Sequence, residues 1–161
     1  IVNAANSGLL GCWSPGHHCI DNAIHTFAGV QLRAECARLM DEQGHAEPTG
    51  SAKITGAYNL PSTHVIHTVG PIANGRPNDE HRAQLASCYR SCLDPAAKNS
   101  LHPIAFCAIS TGVFAFPKEE AARIALRATR EWLDSHEKNM TVVFNVFSEE
   151  DYSIYSRLLG I

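Results

Sequence analysis

Apolar and polar positions along this chain follow two different periods. From Asp21 to Glu42, Ile24, Phe27, Ala28, Leu32, Cys36 and Leu39 recur at three- and four-residue spacing, which predicts one amphipathic helix with Asp21 as its N-cap and Gly44 as its stop. The same spacing predicts helices over Asp79 to Leu93, with Leu85, Cys88, Tyr89 and Cys92 on one face, over Lys118 to Ser135, with Ile124, Leu126 and Leu133 inward, and over Glu149 to Leu159. Between them lie short apolar runs bounded by Gly, Pro and Ser. Ile1-Val2-Asn3-Ala4 reads as the end of a buried strand, 52–58 and 64–69 as two strands joined by a turn at Pro61-Ser62-Thr63, and 103–109 and 140–147 as two further strands. The run Ile104-Ala105-Phe106-Cys107-Ala108-Ile109 lacks polar alternation, so both its faces should be covered. This order of elements predicts an α/β fold, a three-layer α/β/α sandwich around a central mixed, mostly parallel sheet.

Composition narrows the picture. At 161 residues and 17.5 kDa, one domain over 1–161 is the expectation, and 45% hydrophobic against 18% charged residues excludes a disordered chain. A net charge of −3 and a pI near 6.3 give no global basic field, which argues against general nucleic-acid binding. No apolar run approaches the roughly 18 residues that cross a bilayer, and the first residues lack the pattern of a signal peptide, so a soluble cytoplasmic protein is expected. The chain starts on Ile1-Val2-Asn3 without Met, part-way through a strand, and so reads as N-terminally truncated, with an upstream segment missing.

Cys36, Cys88, Cys92 and Cys107 sit in apolar segments, where free thiols pack well. Cys12 and Cys19 instead lie in a polar loop, Ser7 to Cys19, after the first strand. With His17 they offer two sulfurs and an imidazole within eight positions, three corners of a zinc tetrahedron with the fourth left open. His18 competes for the imidazole position, and an unmetallated pair of reactive thiols is the other account. Asp21 caps a helix or is a carboxylate placed to orient water. His25, one turn later, reads as a structural side chain hydrogen-bonded back to the loop. Asn3 and Asn6 flank Ala4-Ala5, Asn3 as a structural amide and Asn6 as the one facing a ligand. His64 and His67, three apart on a strand, face opposite sides and do not share a metal. Ser110-Thr111-Gly112-Val113-Phe114-Ala115-Phe116-Pro117 leads from a strand into a helix, which is either an ordinary turn or a set of unpaired amides facing an anion.

Ile1-Val2-Asn3-Ala4-Ala5-Asn6-Ser7, Val65 to Pro71, Ile109 to Phe114 and Phe147 to Tyr152 together resemble the macrodomain family, in the branch of the MacroD-type hydrolases. The segment Gly11 to Asn22 resembles the zinc-dependent macrodomains often encoded beside sirtuin-like ADP-ribosyltransferases. The resemblance implies a zinc-dependent hydrolase that binds ADP-ribose and removes mono-ADP-ribose from Asp and Glu side chains of modified proteins. It implies Asn6 on the distal ribose, Asp21 as the catalytic carboxylate and Cys12, His17 and Cys19 on Zn2+. Ala5, Ser110, Thr111, Gly112, Val113 and Phe114 would line the ligand, the loop wrapping the diphosphate, with Phe147 stacked on adenine. Ala115 stands where a glycine is common and should narrow that loop. Rival readings are a non-catalytic ADP-ribose-binding module, an O-acetyl-ADP-ribose deacetylase, and a thiol hydrolase using Cys12 or Cys19.

Overall fold

The computed structural model describes residues 1–136 and 140–161. The chain runs β1 (Val2–Ala5), α1 (Ile20–Ala28), α2 (Val30–Gln43), β2 (Ala52–Gly56), β3 (His64–Val69), α3 (Asp79–Lys98), β4 (Ile104–Phe106), α4 (Lys118–Ser135), β5 (Val142–Phe144) and α5 (Glu149–Leu159). Strand β3 is central to one ladder, parallel to β1 with Asn3 opposite His67, and antiparallel to β2 with Ile54 opposite Ile66. A second, parallel ladder joins β4 to β5, and β1 lies against β4. The expected mixed, mostly parallel sheet is therefore present.

Alternation along β3 builds two cores. Val65 and Val69 face α1 and α2, packing on Ile24, Ala28 and Leu32, while Ile66 faces the larger cluster of Leu85, Tyr89, Phe106 and Trp132 contributed by α3, β4 and α4. The Trp132 indole donates to the Asp94 carboxylate at 2.7 Å, which locks α3 to α4. These are the three expected layers.

Several local expectations change. The predicted helix from Asp21 to Glu42 is two helices, because Gly29 adopts φ 89° and the Asn59 amide lies where a Cβ would stand. Asp21 is not the N-cap. Cys19 is, its Sγ accepting from the Asn22 N–H at 3.4 Å, while the Asp21 side chain turns inward. Phe27 is 70% exposed, since the break at Gly29 leaves the inward stripe to Ile24, Ala28, Leu32 and Cys36. Helix α3 runs past Leu93 to Lys98 with Pro95 inside it. In α4 Trp132 is buried, whereas Leu126 and Leu133 are only half-buried. Strands β4 and β5 keep three residues each of the longer runs expected.

The ladders gather their C-terminal ends at one edge. Gly70, which follows β3, meets the loop after β4 so closely that an added Cβ would sit 2.1 Å from Ser110 Oγ and 2.8 Å from Ile109 Cγ2. Gly70→Ala is expected to destabilise the fold by about 1–3 kcal/mol through overpacking, read as a lower midpoint in thermal or urea unfolding.

Candidate functional site

The loop after β1 is fastened by side chains. Asn6 Oδ1 accepts from the Gly8 N–H at 3.0 Å, and its Nδ2 donates to the Gly11 carbonyl at 3.0 Å, so this exposed amide both ties the turn and faces outward. Gly11, at φ 86°, passes so near His25 that a Cβ would lie 2.9 Å from the ring. Arg33 Nε donates to the Leu10 carbonyl at 2.9 Å, and its guanidinium sits 4.4 Å over the Trp13 ring.

Beyond these ties Cys12 Sγ comes 3.3 Å from His17 Nδ1, and the ligand atoms of Cys12, His17 and Cys19 all lie within 4.8 Å of one another. His18 is exposed and outside that group. A backbone hydrogen bond at Ser14 and the His17 imidazole lower the Cys12 thiol to about 7, while burial pushes the Cys19 thiol up. Two sulfurs and one imidazole, one thiol ready to ionise near neutrality, suit a zinc ion with an open fourth position.

Asp21 follows two residues later and is 5% exposed. Asn3 Nδ2 donates to its Oδ1 at 2.8 Å, and Asn6 Nδ2 lies 3.5 Å from its Oδ2. Burial raises the Asp21 carboxyl above the ordinary range, with the Asn3 hydrogen bond opposing. His25 makes no hydrogen bond back to the loop. Both of its ring nitrogens are buried without a hydrogen-bond partner among the described residues, and Nε2 stands 3.6 Å from Asp21 Oδ1.

The loop after β4 is fastened by its backbone. Ser110, at φ 65°, is buried, and the Phe116 N–H donates to its carbonyl at 2.9 Å. The N–H groups of Ala73 and Asn74 both donate to the Phe114 carbonyl, and that of Gly75 donates to Ala115 at 2.7 Å. The N–H groups of Gly112, Val113 and Phe114 have no acceptor among the described residues. Helix α4 begins only at Lys118, so these free donors belong to the loop itself. Ala115 holds φ 49°, a left-handed conformation that explains why glycine suits the position. Ala5 points into the core, leaving its backbone alone for a ligand, and Phe147, after β5, exposes its entire ring.

Arg33, Trp13, Thr55 and His67 were not singled out by sequence as site residues. The available signal for His67 is a polar side chain inside the apolar run Val65 to Val69; nothing local marks Arg33.

The fold has close counterparts among known proteins. The Macro domain family matches residues 2–125. The chain belongs to the macro domain family. Over 160 residues this macrodomain is 58% identical to a Treponema medium protein named protein-ADP-ribose hydrolase, covering 99% of the chain and 61% of that relative. It is 44% identical to a Fusarium oxysporum protein named a probable bifunctional ADP-ribose hydrolase/ADP-ribosyltransferase, covering 99% of the chain and 28% of the relative. It superposes on a variant Oceanobacillus iheyensis macrodomain with ADPR at TM-score 0.88 and 42% identity, covering 99% of the chain and 83% of that structure. The macrodomain spans about three-fifths of the length of the Treponema relative.

Two outcomes follow from this geometry. Because Cys12 ionises near 7 and the thiols of Cys36, Cys88 and Cys107 are pushed to about 11 or 12, iodoacetamide at neutral pH should label Cys12 first by peptide mass spectrometry, and added zinc should block it. Ala115→Gly should relieve the left-handed backbone and raise stability by about 0.5–1 kcal/mol in chemical denaturation.

Proposed function

We propose that this macrodomain binds ADP-ribose across the two loops and, with zinc held by Cys12, His17 and Cys19, removes mono-ADP-ribose from aspartate and glutamate side chains of modified proteins. The observation that carries this reading is a confluence. A soft three-ligand cluster ends two residues before a buried carboxylate, beside the exposed Asn6 amide, and three amide N–H groups without an acceptor among the described residues open at the same sheet edge. The Treponema relative's name and the ADPR held by the Oceanobacillus macrodomain support both binding and hydrolysis.

In this reading the amides of Gly112 to Phe114 receive the diphosphate, and the exposed Phe147 ring stacks on adenine. Asn6 binds the distal ribose, which fixes the geometry of the reacting bond without moving a proton. Asp21 orients the attacking water on the ester linkage. Zinc, when bound, supplies Lewis acidity at the distal ribose. A hydrolase of this kind requires an enzyme that writes the modification, and a sirtuin-like ADP-ribosyltransferase is the partner that fits. The pairing of both activities in the Fusarium relative's name supports that assignment.

The test is ADP-ribose release from an Asp- or Glu-linked mono-ADP-ribosylated protein, before and after zinc is stripped. Release should fall on stripping and return with zinc, and Asp21→Asn should slow turnover by about 100-fold or more while ADP-ribose still binds. A zinc-loaded protein that binds ADP-ribose tightly and releases none is a binding module, and Cys12, His17 and Cys19 are then a structural clasp.

A further inference from the structure

Behind Asp21, on the face of the sheet covered by α1 and α2, an apolar layer holds Asn3, Thr55 and His67, all buried. Asn3 and His67 are register partners on β1 and β3, and Thr55 lies on β2 beside them. Their hydrogen bonds have a direction. Asn3 Nδ2 donates one hydrogen to Asp21 Oδ1 at 2.8 Å and directs the other at His67 Nδ1, 3.1 Å away. An amide nitrogen cannot accept, so Nδ1 is the bare nitrogen of His67 and Nε2 carries the proton. Thr55 Oγ1 stands 2.9 Å from that Nε2 to accept it, and its own hydroxyl donates to the Gly56 carbonyl at 3.0 Å.

The surroundings agree with a neutral ring. Burial lowers His67 to about 3, and it raises the thiol of Cys36, whose Sγ is 3.8 Å from the same Nε2, to about 12. His25, Cys36 and His67 also bring ligand atoms within 4.8 Å of one another. Both nitrogens of His67 are engaged by Asn3 and Thr55 and Cys36 keeps its proton, so hydrogen bonding accounts for these two members of the cluster, while His25 has no hydrogen-bond partner among the described residues.

We infer that Thr55 and His67 are positioning residues for hydrolysis: by fixing the tautomer of His67 they hold the Asn3 NH2 toward Asp21, leaving Oδ2 turned to Asn6. The inference rests on Asp21 acting in the reaction as proposed above. Its physical content is a choice between two amide orientations. If Nε2 loses the Thr55 oxygen, only the Cys36 sulfur, a weak acceptor 3.8 Å away, is left to it, and a ring proton that moves to Nδ1 confronts the Asn3 NH2. The amide then turns over, and Asn3 Oδ1 faces the Asp21 carboxylate, acceptor against acceptor. The carboxylate must then leave its place beside Asn6. Asn3, Thr55 and His67 are buried behind Asp21, so binding and turnover should separate.

The experiment compares the wild-type chain with Thr55→Val, nearly the same in shape but without the acceptor, and Thr55→Ser, which restores it. Thr55→Val should lower kcat by about tenfold or more, the size of effect typical for residues that orient a reacting group from behind. KM and the Kd for ADP-ribose should stay within about threefold, since outer partners act through geometry and not through contact. Thr55→Ser should recover most of the wild-type kcat. Nitrogen NMR of the His67 ring should show the proton on Nε2 in the wild type and on Nδ1 in Thr55→Val. A wild-type ring protonated on Nδ1 overturns the inference without any variant. So does a folded Thr55→Val that shifts the proton yet keeps its kcat. The functional reading fails separately, by absence of release from the zinc-loaded wild type, and the ring spectra then decide the hydrogen-bond chain by themselves.

Discussion

A carboxylate taken out of water must meet donors or give up its charge, and Asp21 is taken out of water on the first turn of α1. The donor it meets is the Asn3 amide, 18 positions earlier in the chain, at 2.8 Å. That contact fixes α1 against β1, and the pairing of β1 with β3 fixes Asn3 against His67. The segment between Asn3 and Asp21 is thereby closed into a loop whose ends cannot drift. Asn6 ties its near limb to Gly11, Arg33 ties its middle to α2 through Leu10, and Cys19 ends it as the cap of α1. The cluster of Cys12, His17 and Cys19 forms inside this frame. A loop of that length with small and polar residues would otherwise sample many shapes, at an entropic cost of roughly 1–2 kcal/mol per residue ordered.

The order of elements and the layers of this fold were legible in the sequence because hydrophobic period is a local signal and the strands here are short and apolar. In two places where the reading failed, a distant residue had intervened. One helix became two because Asn59, from the turn after β2, occupies the space beside Gly29. Asp21 resembles a cap in every local respect, but Asn3 draws its side chain inward and leaves capping to the Cys19 sulfur. The same division runs through the site. Cys12, His17 and Cys19 lie close in sequence, so spacing could group them, and the loop 110–114 announced itself by following a strand. Thr55, His67 and Arg33 could not be assigned, because the contacts that give them a role reach across 12, 64 and 23 positions.

The two loops at the sheet edge are built on different principles, and the difference bears on what each can do. The loop after β4 offers backbone donors. Its shape is set by left-handed residues at Ser110 and Ala115, by the closeness of Gly70, and by hydrogen bonds from Ala73, Asn74 and Gly75 to its carbonyls. Donors of that kind do not depend on which side chain follows, so the exposed Val113 can point outward without affecting the cradle, while the Thr111 hydroxyl donates to the Ala108 carbonyl at 3.0 Å. They cannot be protonated or lost, which suits an anion held the same way each time one binds.

The loop after β1 instead offers side chains, and every one of its functional atoms depends on a partner. Cys12 owes its low pKa to the Ser14 backbone and to His17, and Asp21 owes its orientation to Asn3. Such a loop can carry chemistry that the amide cradle cannot, since it contains groups that can ionise and whose ligand atoms lie close enough to hold a metal. It is also sensitive to positions well behind it. A change at β2 or β3 that leaves the core packed can still disturb Asp21, because the buried polar chain ends on the carboxylate rather than on the apolar core. A change at Thr55 or His67 would therefore reach Asp21 as well as leave buried polar groups without partners, which distinguishes these two from neighbours such as Val65 and Val69 that only pack.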